Sequence, residues 1–247
     1  MQILILGATG RTGALVLLEA LRRGHNVTAL VRNPSSLESV TSTLPADQKS
    51  HLTVVRGSPL NSSDVANAVS TSTTTGAKGK LVVLSALNSR RTSESPWAAP
   101  HPTDSPPRMM ADSIANVLSA VSHSPQGSGL AEKPKVVYVS GIGVGASSTN
   151  AHWLLRTLIS HSNVKLTYDD HEAAESELRE AADRVDWVVV RPGRLTEGDD
   201  GSQPKVWPKE KGMVGMFAKA SRGAVARFVL DAAEKSEWDG TDTIILS

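Results

Sequence analysis

Three glycines near the amino terminus stand at intervals of three residues, directly after a short apolar run. Residues 1–13 read MQILILGATGRTG, with Gly7, Gly10 and Gly13 in the turn. The first glycine of such a turn permits a tight bend, the second lets a pyrophosphate approach, and the third allows close helix–strand packing. A helix that follows directs free N–H groups and its positive dipole end at the phosphate. The pattern favours a bound dinucleotide over a turn without ligand, with expected contacts at Gly7, Thr9, Gly10, Arg11, Thr12 and Gly13.

The end of the second predicted strand indicates which coenzyme the turn holds. A site for NAD places an acidic residue there for the ribose hydroxyls, whereas this chain reads ALVRNPSS, with Arg32 and no acid. Arg32 can pair with the 2′-phosphate of NADP and stack on adenine, and Ser35 or Ser36 can add a hydroxyl. Arg11 is a second candidate for that phosphate. We therefore expect NADP(H) to be favoured over NAD(H); the alternative is that Arg32 is a solvated surface charge.

Three further segments follow predicted strands, and ligands bind at the carboxyl ends of parallel strands. Ser140 offers a hydroxyl beside the expected nicotinamide and is a candidate catalytic residue. The Pro192 carbonyl or the Gly193 amide would meet the carboxamide on the far side. The expected coenzyme contacts are Ser85, Ala86 and Leu87 in the first segment, Ser140 and Gly141 in the second, and Arg191, Pro192 and Gly193 in the third.

The elements that must position these residues alternate along the chain. Short apolar runs predict strands, and patterns with a helical period predict helices. Strands are predicted at 2–6, 26–31, 51–56, 80–87, 135–141, 186–193 and 243–246, and helices at 11–23, 62–70, 108–121, 151–161, 169–182 and 222–235. This alternation predicts parallel strands joined by crossover helices. We predict an α/β fold, a Rossmann-type doubly wound parallel sheet in one domain over residues 1–247, with residues 194–247 forming a small C-terminal cap on the substrate side.

Two connecting segments stand out. Residues 88–107 are rich in Pro and Ser and follow the fourth strand, so they are either a lid over the site or a disordered excursion. Trp97 argues for docking of this loop, because a large aromatic side chain gains by burial. Residues 122–134 have the composition of a linker, and residues 70–80 that of a polar turn segment.

Composition excludes several classes of function. The 26 Lys and Arg residues nearly balance 25 Asp and Glu residues, for a net charge of +1, which does not favour nucleic-acid or membrane-surface partners. The absence of cysteine excludes disulfides, thiolate metal sites and cysteine nucleophiles. The seven histidines lack the spacing of a zinc site, so no metal is expected. Neither a signal peptide nor a membrane span is recognisable, and a cytoplasmic location is expected.

The segments ILGATGRTG, VRNPSSL, VVYVSGIGVG and DWVVVRPGRLTEG occur in this order over nearly the whole chain. Together they resemble the NmrA-like branch of the atypical short-chain dehydrogenases, whose compact members include the biliverdin-IXβ/flavin reductases. The resemblance implies an NADP(H)-binding fold and leaves the substrate open. It implies that Ser58, or its backbone, stands at the adenine, where the family often has an Asp. YDDHEAAESELRE resembles a reductase helix with a histidine at His171, which makes His171 the second candidate catalytic residue.

Two details of this segment bear on catalysis. His171 can relay a proton or hold an anionic substrate, with its pKa raised by Asp169 and Asp170; the alternative is an ordinary acidic first turn of a surface helix. Short-chain dehydrogenases use Tyr-x-x-x-Lys, in which lysine lowers the pKa of a proton-donating tyrosine. Here Tyr138 and Tyr168 are followed four residues later by Ile and Glu. The usual tyrosine mechanism is therefore unsupported.

Three hypotheses about function follow. The first is an NADPH-dependent reductase of a small aromatic, conjugated or carbonyl substrate. The second is a sensor of NmrA type that binds the dinucleotide and a protein partner without turnover. The third keeps the fold but carries out a non-redox isomerisation or dehydration. The first is favoured because the chain has no added segment suited to a protein partner.

Overall fold

The computed structural model describes residues 1–74, 79–123 and 133–247. Most of the predicted linker at 122–134, and residues 75–78 of the predicted polar turn, lie outside the described residues. The strands are β1 (Gln2–Leu6), β2 (Asn26–Val31), β3 (Leu52–Arg56), β4 (Leu81–Ser85), β5 (Lys135–Val139), β6 (Asp186–Pro192), β7 (Arg194–Thr196), β8 (Lys205–Trp207), β9 (Lys219–Ser221) and β10 (Thr241–Leu246). The helices are α1 (Arg11–Arg22), α2 (Ser35–Thr41), α3 (Ala46–Lys49), α4 (Ser62–Thr74), α5 (Met109–His123), α6 (Trp153–Ser160), α7 (Val164–Glu180) and α8 (Arg222–Glu234).

Eight strands form one sheet in the order β3-β2-β1-β4-β5-β6-β10-β8. All neighbours are parallel except β8, which pairs antiparallel with β10 at the edge. The chain order reverses between β1 and β4, which is where the ligand crevice of such a sheet lies. β7 and β9 form a separate parallel pair. The predicted Rossmann-type fold is confirmed.

Side-chain alternation along the strands explains why both faces of the sheet carry helices. Ile3 and Ile5 pack with α1 and α8 on one face, whereas Leu4 and Leu6 pack with α4, α5 and α7 on the other. A strand whose side chains all enter a core must read as a continuous apolar run, as residues 3–6 do. No helix in the described ranges combines the length and apolar character that crossing a membrane requires.

The departures from the prediction fall in weakly patterned segments. Helix α4 continues to Thr74, so residues 70–74 are helical instead of part of a polar turn. The elements α2, α3, β7, β8 and β9 were not predicted, because each has only three to seven residues and shows no clear period.

The loop at 88–107 is an ordered excursion. An antiparallel bridge joins Arg91 to Pro100, and the Ser89 hydroxyl lies 2.6 Å from the Thr167 hydroxyl on α7. The loop is therefore held against α7, and its Asp104 reaches Arg32 at the end of β2. The expected burial of Trp97 is wrong: its side chain is 64% exposed.

Candidate functional site

The glycine turn has the geometry that its spacing predicts. Gly7 has φ of +82°, and a Cβ there would lie 3.0 Å from the Ala86 backbone. A Cβ on Gly13 would lie 2.0 Å from the Gly7 carbonyl oxygen. Gly10, the N-cap of α1, has no side chain to cap the first-turn amides, and that turn contains no acidic residue. These features fit a bound diphosphate, since the backbone is held close and its amides are uncapped.

Two arginines stand beside this helix terminus. Arg11 pairs with Glu197 at 2.6 Å, and both side chains are largely exposed. Arg222, at the start of α8, donates to the Thr12 hydroxyl at 3.0 Å and also pairs with Glu197 at 3.3 Å. The Arg222 hydrogen bond, together with the nearby arginine charges, lowers the pKa of Glu197 below its ordinary value. The turn thus has two arginine side chains beside it. The Thr12 hydroxyl already accepts a hydrogen bond from one of them, Arg222.

The expected adenosine end of the site lies where β2 and β3 finish. Arg32 is exposed and pairs with Asp104 at 2.9 Å. The Ser35 hydroxyl donates to Asn33. The Ser58 amide donates to Asp64 at the start of α4. The residues expected near adenine and its ribose are therefore together at one edge of the sheet, and Asp104 was not among them.

The end of β4 forms the wall next to the glycine turn. The Ala86 amide donates to the Leu6 carbonyl at 3.0 Å, and the Leu87 amide lies 3.2 Å from a Cβ built on Gly7. The Ser85 hydroxyl is buried and has no hydrogen-bond partner within the described chain. A buried hydroxyl of this kind is costly unless something pairs with it.

A cavity of about 420 Å³ opens at the ends of β5 and β6, with a wall that is mostly apolar. Asn88, which follows the β4 wall, also lines it, so the cavity adjoins the expected coenzyme site. Its lining residues are Asn88, Ser140, Gly141, Ile142, Leu154, Leu155, Leu158, Thr167, Tyr168, His171, Pro192, Gly193, Arg194, Leu195, Val214, Gly215, Met216 and Ala218. Ligand pockets commonly combine an apolar lining with a few polar groups.

The structure corrects the expectation for Arg191 and for the amide of Gly193. The Arg191 guanidinium is fully buried and pairs with Glu175 at 2.7 Å and Asp242 at 3.1 Å. It also donates to the Ser147 hydroxyl. Because β6 directs this side chain into the protein, it cannot reach a coenzyme. The Gly193 amide donates to the Ile245 carbonyl at 2.9 Å, which leaves it no proton for a carboxamide.

Ser140 is bound to the same ionic network. Its hydroxyl donates to the fully buried Glu175 carboxylate at 2.7 Å. Arg179 and Arg191 hold the other carboxylate oxygen. The hydroxyl proton of Ser140 is thus engaged inside the protein, and its oxygen presents lone pairs to the cavity. Ser140 is consequently better suited to accept a hydrogen bond than to donate one.

His171 lies in the middle of α7, which begins at Val164, so the alternative of an exposed first turn is wrong. Its ring is buried, and its Nδ1 lies 2.6 Å from the Tyr138 hydroxyl. Burial, followed by the Arg191 charge, lowers the pKa of His171 to about 4. The expected increase in pKa from Asp169 and Asp170 is therefore wrong. At neutral pH His171 is an uncharged imidazole.

This shift predicts a specific loss of stability in acid. The folded-state pKa of His171 lies below the unfolded value near 6.5, so the unfolded chain binds the extra proton between pH 6.5 and 4. Its contribution to stability is complete above pH 6.5 and declines as the pH falls towards 4. Between pH 7 and 5, we expect the wild type to lose about 2 kcal/mol more than His171→Gln in urea unfolding. Equal losses in the two proteins would contradict the buried neutral imidazole.

Tyr168 lines the cavity, although its sequence context does not predict a role in the site. Its hydroxyl donates to the Ile142 carbonyl at 3.2 Å, and burial raises its pKa to about 12. The absence of a lysine four residues after Tyr168 argues against a catalytic role in the sequence, whereas in the structure burial alone accounts for its high pKa. The apolar wall from α6 was also missed, because the pattern in residues 153–160 predicts a helix without showing which face meets a ligand.

The sheet and the glycine turn define a dinucleotide-binding protein, and comparison with known proteins agrees. A family model described as NAD(P)H-binding matches residues 7–236. The chain therefore belongs to this NAD(P)H-binding family. Reductase pytE of Aspergillus terreus is 27% identical over 280 aligned positions, which cover 96% of this chain and 95% of that protein. These similarities support oxidoreductase chemistry in general.

Solved structures show the same fold. ChuY, an anaerobilin reductase from Escherichia coli O157:H7, superposes with a TM-score of 0.70 at 16% identity, covering 99% of this chain and 96% of ChuY. Yeast methylglyoxal/isovaleraldehyde reductase Gre2, solved with NADPH, superposes with a TM-score of 0.65 at 13% identity, covering 100% of this chain and 78% of Gre2. At such identities the likeness concerns the fold alone.

Proposed function

We propose that this protein is an NADPH-dependent reductase of a small aromatic, conjugated or carbonyl substrate. The observation that carries the proposal is the apolar cavity at the ends of β5 and β6, which adjoins the glycine turn through Asn88 and the β4 wall. A cavity of about 420 Å³ is large enough for a small organic molecule. The relation to reductase pytE supports the same reaction class.

The chain's own residues would divide the work as follows. The uncapped amides at the start of α1, with Arg11 nearby, would hold the diphosphate, and Arg32 would hold the 2′-phosphate. Ala86 and Leu87, beside the glycine turn, would wall the coenzyme, with Gly141 and Pro192 of the cavity on its other side. When bound, the nicotinamide coenzyme supplies a hydride. The protein then has only to orient the substrate and to direct one proton to the reduced product.

Tyr168 is the hydroxyl best suited to face a substrate oxygen. Its high pKa keeps it protonated throughout the physiological range. It would donate to developing negative charge on the substrate by exchanging its 3.2 Å hydrogen bond to the Ile142 carbonyl for one to the substrate oxygen. His171 is held by Tyr138, a phenol whose pKa burial raises well above its ordinary value, and which therefore donates to Nδ1. That bond leaves the proton of the neutral imidazole on Nε2. His171 can then steady the substrate as a second donor, while Ser140 accepts.

The experiment that tests the proposal separates binding from turnover. Calorimetric titration with NADPH and NADH measures binding, and absorbance at 340 nm follows NADPH oxidation with a panel of quinones, flavins and carbonyl compounds. Binding together with oxidation of one class of compound supports a reductase. Tight binding without oxidation by any member indicates the sensor. Product formed without net loss of coenzyme indicates the isomerase or dehydratase.

The remaining parts of the proposal concern coenzyme preference and partners. We propose NADP(H) over NAD(H) because an arginine, and no acid, ends β2. The partner proposed is a small-molecule substrate, and the net charge of +1 argues against nucleic acid. A cytoplasmic location remains a prediction.

A further inference from the structure

The long loop at 88–107 carries a carboxylate to the expected 2′-phosphate position. One oxygen of Asp104 lies 2.9 Å from the Arg32 guanidinium, and the other lies 2.8 Å from that of Arg90. The Nδ1 of His101 is 3.7 Å from the same carboxylate. Two arginines and an imidazole thus converge on one anion at the end of β2.

The loop backbone fixes this carboxylate in place. The His101 amide donates to the Arg90 carbonyl at 2.8 Å, and the Arg90 amide donates to the Ser105 hydroxyl at 2.6 Å. The Asp104 amide donates to Nδ1 of His101 at 3.3 Å. These hydrogen bonds hold the two ends of the loop together, which brings the exposed Arg90 side chain within 2.8 Å of the Asp104 carboxylate.

The Asp104 carboxyl is an anion at neutral pH. Partial desolvation raises its pKa, but the hydrogen bond and charge of Arg32, followed by the charges of His101 and Arg90, lower the pKa by more. The net result is a pKa below the ordinary value. Two arginines on one anion can also bind a phosphate. Each guanidinium presents paired N–H donors, which match the oxygens of a planar carboxylate or of a tetrahedral phosphate.

We propose that Arg32 and Arg90 together form the 2′-phosphate site of the coenzyme, and that Asp104 is a built-in anion that occupies it. This inference rests on the proposed function. Binding of NADPH would exchange the carboxylate for the phosphate on the same two arginines. NADH has no phosphate, so it would bind without breaking the Asp104 contacts. Asp104 would therefore weaken the binding of NADPH alone, and Arg90 would be a phosphate ligand that the order of residues in the sequence did not reveal.

Asp104→Asn tests the exchange directly. Calorimetric titrations of NADPH and NADH into the wild type and this variant, at one fixed ionic strength, give four dissociation constants. We expect the variant to bind NADPH about fivefold more tightly, a modest gain because exposed ion pairs contribute little each. NADH affinity is expected to stay unchanged. Asp112→Asn is the matched control, because it removes an exposed aspartate that pairs with Arg108 at 3.2 Å, and neither affinity should change.

A second variant tests the role of Arg90. In the Asp104→Asn background, Arg90→Gln should weaken NADPH binding about tenfold and leave NADH binding unchanged. Unchanged or weaker NADPH binding by Asp104→Asn would overturn the inference. So would a loss of NADH affinity in that variant, which would make Asp104 a ribose ligand. If the wild type binds neither coenzyme, the proposed function itself fails, and that result is read from the wild-type titrations alone.

Discussion

Gly13→Ala is expected to abolish useful coenzyme binding and to destabilise the fold. A Cβ at this position would lie 2.0 Å from the carbonyl oxygen of Gly7 and 2.8 Å from its carbonyl carbon. Both are backbone atoms, so no side chain can rotate to make room, and the turn itself must move. Overpacking of this kind costs about 3 kcal/mol. A shifted turn would also move the first-turn amides of α1 away from the diphosphate, so NADPH would lose the hydrogen bonds that hold it there.

The measurement for Gly13→Ala combines urea unfolding with calorimetric titration of NADPH. Gly79→Ala is the matched control, because within residues 1–74, 79–123 and 133–247 its added Cβ would meet nothing nearer than the Met1 Cα at 3.9 Å. That control should stay within about 0.5 kcal/mol of the wild type in unfolding free energy. A Gly13→Ala protein that binds NADPH as the wild type does would show that the turn does not hold the coenzyme.

The features that the sequence predicts correctly are those encoded locally. The glycine turn needs only a strand, three glycines and a helix, and each leaves its own pattern within residues 2–22. The parallel sheet follows in the same way, since fully buried strands read as continuous apolar runs. The position of Arg32 at the end of β2 follows from the apolar run of that strand alone, because Arg32 is the residue directly after it. Long-range contacts were not needed for any of these predictions.

The features that the sequence does not reveal depend on which way a side chain points in the folded protein. Arg191 ends a predicted strand, as a coenzyme ligand would, but its side chain enters the interior and meets Glu175 from α7. His171 stands among acidic neighbours in sequence, yet its environment is set by burial and by Arg191. Asp104 reaches Arg32 across 72 positions of the chain. The periodicity within one helix or strand does not encode contacts between side chains of different elements.

The buried network behind the cavity gives the second large prediction, for Glu175→Gln. One Glu175 oxygen accepts from Ser140 at 2.7 Å, and the other from Arg191 at 2.7 Å and Arg179 at 3.0 Å. Glu175 and Arg191 are both fully buried. An amide in place of the carboxylate removes the charge that balances Arg191 and leaves it with Asp242 as its remaining acidic partner. Removing one member of a buried ion pair costs about 3–5 kcal/mol, because the other charge stays desolvated.

Urea unfolding of Glu175→Gln gives the loss of unfolding free energy. Glu177→Gln, on the same helix, is the matched control. Glu177 pairs with Arg108 at 3.3 Å near the surface, so its replacement should change the unfolding free energy by less than about 1 kcal/mol. A small loss in both variants would show that the Arg191 charge does not depend on Glu175. A large loss confined to Glu175→Gln would identify this carboxylate as the residue that holds Arg191 and Ser140 in place. Since Glu175 lies directly behind Ser140, the shape of the cavity wall would then depend on a charge that does not itself line the cavity.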